Sequence, residues 1–186
     1  MKTCDHSPVK ITLTTPNPSF KASFLAGLEE MQNDSDQSAW VYLGDSSPRD
    51  IPYKDFESYV QTLLKRENEA PVGFVKDTTY WAILGDEMVG RISIRHHLND
   101  FLKKIGGHIG YIVRPSFRQK GIATEILRQA LQSSKAQSIG KLLLTCDEEN
   151  IASEKSIVKN GGIFESTVYV GENRPRKKHF WISLNS

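Results

Sequence analysis

Only two cysteines occur in 186 residues, Cys4 and Cys146, and neither sits in a C-x-x-C pair. That argues against a disulfide framework and a structural zinc site, and a reducing cytoplasm becomes the expected location. No apolar run approaches the roughly 20 residues that span a bilayer. No apolar h-region follows Met1-Lys2-Thr3-Cys4-Asp5-His6, so no secretory leader is expected. A strong charge of one sign is also missing. Lys and Arg number 24 against 22 Asp and Glu, a net charge of +2 with no dense basic block. Neither a nucleic-acid nor a membrane partner is expected from that balance. Gly and Pro contribute 13 and 8 residues, while 38% of the chain is hydrophobic and 25% charged. Such proportions belong to a soluble globular protein with a core. No internal repeat or low-complexity linker interrupts the chain, which reads as a single domain over 1–186.

The elements follow from periodicity. Val9, Ile11 and Leu13 alternate and predict a short strand, after which Asn17 is placed to cap a helix that begins at Pro18. Phe20, Phe24, Leu28 and Met31 recur at helical spacing. Asp55 caps a second helix, with Phe56, Tyr59, Val60, Leu63 and Leu64 on one face. Between them, Asp45-Ser46-Ser47-Pro48 reads as loop. Tyr80 to Leu84 and Met88 to Ile94 flank Gly85-Asp86 and predict a hairpin. His108 to Val113 predicts a strand ending at Pro115, and Gly121 to about Gln137 a helix. Leu142-Leu143-Leu144 is expected to be a central strand covered on both faces. Asn150 caps a last helix ending at Asn160-Gly161-Gly162, and two alternating stretches, Ile163 to Val170 and His179 to Leu184, close the chain. The expected class is α+β with a mixed sheet.

The stretch richest in chemistry is Arg118-Gln119-Lys120-Gly121-Ile122-Ala123, where a strand ends and a helix begins. The first amides of a helix lack partners and its dipole is positive there, so the turn is a ready anion site. Gly121 and Ala123 are small enough for a diphosphate to approach, and Arg118 and Lys120 add charge. An ordinary βα turn whose glycine relieves strain is the alternative. Gly140-Lys141-Leu142 is not a P-loop, and no G-x-G-x-x-G occurs.

This hexapeptide resembles the R/Q-x-x-G-x-G/A signature of the GNAT superfamily of acyl-CoA-dependent N-acyltransferases. The strand and Pro115 before it, Asn150-Ile151-Ala152-Ser153 after the next strand, and the element order extend the likeness over nearly the whole chain. The resemblance implies a mixed, mostly antiparallel central sheet with a splayed parallel pair and flanking helices. It implies acetyl-CoA as co-substrate, with its pantetheine arm paired to backbone groups near Ile112 and Val113. The diphosphate would rest on the amides of Gln119, Lys120, Gly121, Ile122, Ala123 and Thr124. Asn150 would reach the pantetheine or only cap its helix.

The sequence departs from the family where many members carry a tyrosine that protonates the departing thiolate. That position is Ile157. Ser156 points about 100° away around the helix, whereas Ser153 lies one turn earlier on the same face and is the candidate donor. CoA thiolate, with a pKa near ~8.5, departs with little help. The attacking amine must lose a proton, and the developing oxyanion would be held by an N–H around Ile112. No Asp or Glu lies between Phe101 and Thr124, so His108 is the candidate base; a strand histidine without a role is the alternative.

Other features carry bland readings beside sharper ones. His96-His97 cannot aim both rings at one ion from a strand, so no metal is expected. The acidic run Glu29 to Asp36 would favour a small cationic amine as acceptor, or is a solvated helix end. Cys146 is expected to be buried and inert. Arg174, Arg176, Lys177 and Lys178 mark a surface turn, with nucleic-acid contact as the remote alternative. The expected function is acetyl transfer from acetyl-CoA to a primary amine on a small molecule or protein, by a monomer or homodimer. A non-catalytic acyl-CoA-binding module is the rival, and a longer acyl group stays open.

Overall fold

A computed structural model describes residues 10–34, 38–44 and 51–184. Within them the chain forms two antiparallel sheets, ordered β1-β2-β3-β4 and β5-β7-β6. The first comprises β1 (Thr12–Thr14), β2 (Asp77–Leu84), β3 (Glu87–Arg95) and β4 (Ile109–Val113); the second, β5 (Lys141–Asp147), β6 (Ile163–Val168) and β7 (Lys177–Ser183). The α+β, mostly antiparallel architecture expected from the sequence is what forms. Val9, Asp45-Ser46-Ser47-Pro48, Cys4 and Asp36 lie outside the described residues.

Four helices cover one face of the first sheet: α1 (Lys21–Asn33), α2 (Ser38–Leu43), α3 (Ile51–Lys54) and α4 (Phe56–Lys65). Asn17 caps a short 3-10 turn at Pro18–Phe20 that leads into α1, with its side chain accepting from the Ser19 amide at 2.9 Å. The buried stripe Phe24, Leu28, Met31 meets Tyr59, Val60 and Leu63 of α4 over Trp81. Phe24 is its hub, with ring centroids 4.9 Å from Tyr42, 5.2 Å from Tyr59 and 5.2 Å from Trp81. Aromatic pairs at such spacings add to the burial of apolar area. The helices α2 and α3 were not expected, because six and four residues are too few for a hydrophobic period to declare itself.

The opposite face is covered by α5 (Ile122–Leu131), α6 (Ser134–Ile139) and α7 (Ile151–Lys159). The single helix expected from Gly121 to Gln137 is thus two. Ser133 breaks it: its hydroxyl donates to the Ala130 carbonyl at 2.6 Å and accepts from the Ala136 amide at 3.3 Å, capping α6. Ile126, Leu127, Ala130, Leu142, Leu144, Ile157 and Phe180 form this second core.

The Leu142-Leu143-Leu144 strand is buried on both faces as expected but is not central. It pairs with β7 on one edge only, and the edge toward β4 carries no ladder. The two strands meet at one point: the His108 amide donates to the Leu143 carbonyl at 2.7 Å. Tyr111 stands beside Cys146, three residues further along both strands, so β4 and β5 advance in parallel from that junction. Gly107, at φ +59°, makes the junction possible, since a Cβ there would collide with the Leu143 carbonyl oxygen.

Candidate active site

The α5 turn has the anion-site geometry. Gln119 and Gly121 both hold positive φ, +61° and +77°, and bend the chain so that successive amides converge. Gln119 pays strain for this that glycine does not. The amides of Gln119, Lys120, Gly121, Ile122, Ala123 and Thr124 donate to no acceptor among the described residues; the first bond back into the turn is Glu125 N–H to the Gly121 carbonyl, 3.1 Å. Nothing lies within 4 Å of a Cβ built on Gly121, so the face above it is open. A cleft of about 680 Å³ borders this turn, lined by Lys120, Gly121, Ile122 and Arg128.

The two cationic side chains of the turn are partly committed. Arg118 donates through Nε to the Val113 carbonyl at 3.2 Å and pairs with Asp34 at 2.6 Å. Lys120 donates to the Ser116 carbonyl at 2.9 Å and lies 5.1 Å from the Phe117 ring centroid. The backbone, rather than free side-chain charge, is what this turn offers an anion. Two acids of the acidic run are committed as well: Glu30 pairs with Arg114 and accepts from the Ser116 hydroxyl at 2.8 Å, while Asp34 holds Arg118.

Strand parity corrects one expectation. Arg95 N–H donates to the His108 carbonyl at 2.7 Å and Arg114 N–H to the Val89 carbonyl at 2.9 Å. Both pairs keep the register in which Gly110 faces Ser93 and Ile112 faces Arg91. Hydrogen-bonded pairs alternate along an antiparallel ladder, so Ile112 spends its N–H and C=O on β3. The groups on the open edge belong to Ile109, Tyr111 and Val113. Val113 and Tyr111 thus face the open edge and Ile112 does not, and the Val113 carbonyl accepts from Arg118 Nε at 3.2 Å.

His108 is buried at 7% exposure, and its Nδ1 accepts a hydrogen bond from the Leu143 amide at 2.9 Å. Burial and the Arg95 charge push its pKa down to about 4, against the opposing effect of that hydrogen bond. With the Nδ1 lone pair taken, the proton of the neutral ring sits on Nε2, and no lone pair is left for an incoming amine. The side chain fastens β4 to β5.

Asn150 caps α7, its Oδ1 accepting from the Ser153 amide at 3.0 Å. Ile157 is 1% exposed and faces the core. Ser156 is buried, donating to the Ala152 carbonyl at 3.0 Å and accepting from Thr124 Oγ1 at 3.2 Å. Tyr111, which the sequence reading passed over as an ordinary strand residue, brings its phenol to this helix, 3.4 Å from the Ser153 carbonyl. Burial pushes the phenol above the usual tyrosine range, while hydrogen bonding with Ser153 and Ser156 opposes it. Nearby Cys146 is a free, buried thiol pushed up to about 11, chiefly by burial.

Peripheral features resolve locally. His96 Nε2 lies 2.9 Å from Thr78 Oγ1. Arg176 pairs with Glu148 at 2.8 Å and Lys178 with Glu154 at 2.8 Å, and Lys177 holds Asp147, so the basic hairpin is matched by acids beside it. No helix among the described residues is long and apolar enough to cross a membrane.

A family model described as an acetyltransferase (GNAT) domain matches residues 20–163. The chain belongs to that family and is an acetyl-CoA-dependent acetyltransferase. No curated protein matches it significantly in sequence. Among solved structures, the microcin C7 self-immunity acetyltransferase MccE, in complex with acetyl-CoA and AMP, superposes with a TM-score of 0.65 at 15% identity, covering 94% of this chain and 92% of that one. The RimL ribosomal L7/L12 α-N-protein acetyltransferase with coenzyme A gives 0.61 at 17% identity, covering 95% and 96%. A ribosomal-protein-serine acetyltransferase of Vibrio cholerae gives 0.60 at 15%, covering 94% and 94%. These likenesses extend the fold assignment over 94–95% of the chain.

Proposed function

We propose that the chain transfers the acetyl group of acetyl-CoA to a primary amine by direct attack. The observation that carries this reading is the pairing of two sets of unspent backbone groups, the Gln119–Thr124 amides and, on the open edge of β4, the Val113 amide with the amide and carbonyl of Tyr111. The turn suits a diphosphate, and the strand edge suits the amides of an extended arm. Acetyl-CoA supplies the acyl group as a thioester when bound. The N–H of Tyr111 or Val113 is placed to stabilise negative charge developing on the carbonyl oxygen. The amine gives up its proton to solvent water, since His108 Nδ1 is engaged. As the C–N bond forms and the C–S bond breaks, the sulfur takes a proton from the Tyr111 phenol, which lies by Ser153 where the sequence has no helix tyrosine, and the phenolate regains a proton from solvent. Asn150 acts as a helix cap and Ser153 as a neighbour of that phenol.

Of the neighbours named above, one acts on a protein α-amine, an acceptor that suits an amine transferase, and another is bound to acetyl-CoA and AMP. A thiol-release assay over an amine panel, run beside calorimetric titration of acetyl-CoA, tests the reading. Turnover with at least one amine is expected. Saturable acetyl-CoA binding without turnover on any amine would make the chain an acyl-CoA-binding module instead.

A further inference from the structure

The face of β3 and β4 that looks toward α2 carries a second cavity of about 610 Å³. Its floor is Arg91, Ser93 and Arg95, alternate residues of β3, with Gly110 of β4 beside them. Gly110 is the residue before Tyr111, so the cavity meets β4 beside the open edge proposed to receive the thioester arm. Among the described residues, three arginines line it, Arg66, Arg91 and Arg95, with one acid, Asp77, and Arg95 Nη1 donates to the Gly106 and Gly107 carbonyls at 3.0 and 3.2 Å. That acid is committed: it pairs with Arg66 at 2.5 Å.

Arg91 is only 4% exposed and has no carboxylate partner among the described residues. Its Nη1 donates to the Val41 and Tyr42 carbonyls at 3.2 and 3.3 Å, and its Nη2 to Thr79 Oγ1 at 2.9 Å and to Ser93 Oγ. A buried guanidinium held only by neutral oxygens is costly unless something compensates it. The Arg95 guanidinium lies over Gly110, where a Cβ would stand 3.3 Å from its Nη2. Phe74 and Phe101, 44% and 57% exposed, supply apolar surface at the walls.

Resting on the N-acetyltransferase reading, we propose that this cavity receives the acceptor and selects amines that also bear an anionic oxygen group, a carboxylate or a phosphate. With both Nη groups of Arg91 already donating to neutral oxygens, what draws either group is the uncompensated charge beneath the floor rather than an open fork. Neither Glu30 nor Asp34 lines the cavity, so the acidic run does not oppose this selection.

The test compares matched amines with acetyl-CoA in a thiol-release assay: phenylalanine against phenylalaninamide and phenethylamine, and O-phosphoethanolamine against ethanolamine. The anionic member is expected to react with a kcat/KM at least 10-fold higher, and the pair that shows it separates carboxylate from phosphate. Val41→Glu, on the 41% exposed rim, should shrink that ratio several-fold while acetyl-CoA affinity stays the same. Equal or faster reaction of the neutral amines, in a protein that turns over, overturns the selection and leaves the transferase reading standing. If no amine reacts while acetyl-CoA binds, the transferase reading fails. The cavity is then judged by titrating N-acetylphenylalanine into the CoA-loaded protein: saturable binding weakened 10-fold by Val41→Glu upholds an anion site, and its absence overturns one.

Discussion

His108 and Leu143 are joined twice, backbone to backbone and ring to backbone: the His108 amide donates to the Leu143 carbonyl at 2.7 Å, and the Leu143 amide donates to His108 Nδ1 at 2.9 Å. Of the groups that face this ring, Arg95 is the charged one that disfavours protonation. The pair closes the junction from which β4 and β5 run on unladdered, and so sets where the gap between them begins.

That arrangement makes stability depend on pH in a definite direction. The His108 pKa is lowered from 6.5 to about 4 in the folded protein. Between those values the unfolded chain binds the extra proton, so stability falls as pH drops from about 6.5 toward about 4. His108→Asn keeps a side-chain acceptor for the Leu143 amide and should flatten Tm against pH in that window. With acceptor and acetyl-CoA saturating, the variant should keep most of its turnover at pH 7. A loss of 10²-fold in a folded variant would restore His108 as the base.

Gly121 offers a separate test of the anion turn. A side chain there meets nothing within 4 Å but must adopt φ +77°. Gly121→Ala should lower stability by about 1–2 kcal/mol through strain alone. Gly121→Glu adds like charge where the diphosphate is expected, and should raise the acetyl-CoA Kd at least 10-fold beyond the alanine variant. Calorimetry on both separates strain from repulsion, and equal affinities would remove the diphosphate from this turn.

Glu30 and Arg114 tie α1 to the end of β4. Arg114 is 5% exposed, so Glu30→Ala leaves a buried guanidinium short of its main partner. A loss of about 1–3 kcal/mol in denaturant unfolding is expected. Burial alone would push the Glu30 carboxyl up, but hydrogen bonds from Arg114 and Ser116 outweigh it and hold the carboxyl below the ordinary range. Its contribution is therefore present at neutral pH and lost as pH falls below about 4.5 through the lowered folded value. The alanine variant should show less acid destabilisation than the parent.

Local signals carried much of the fold and little of the chemistry. The stripe of α4 (apart from Leu64, which is 37% exposed), the Asp55 and Asn150 caps and the Gly85-Asp86 hairpin depend on near neighbours and formed where periodicity and turn chemistry put them. The α5 turn was legible for the same reason. Three features depend on partners far away in sequence. Arg118 is captured by Asp34, 84 residues earlier, and His108 by Leu143, 35 residues later. Which residues of β4 face its open edge is fixed by ladder parity, and a one-residue shift exchanges Ile112 for Tyr111. The Arg91 cavity needed α2, too short to announce itself.

The final prediction concerns the leaving group. The family's tyrosine position, Ile157, is 1% exposed and packs into the core beside Gly162, so Ile157→Tyr should overpack and destabilise by about 1–3 kcal/mol without gain in turnover. Tyr111 reaches the same helix from β4, with its phenol 3.4 Å from the Ser153 carbonyl. Burial keeps the phenol protonated across the neutral range. Tyr111→Phe should lower kcat about 10²-fold, in the range typical of one general acid, while the acetyl-CoA Kd stays within a factor of two or so. Ser153→Ala, removing only a hydroxyl beside that phenol, should change kcat by less than about threefold. Single-turnover rates with a thioester of a more acidic thiol complete the argument: such a leaving group needs no proton, so the gap between Tyr111→Phe and the parent should close. A gap that persists would place the Tyr111 contribution in binding geometry rather than in proton donation.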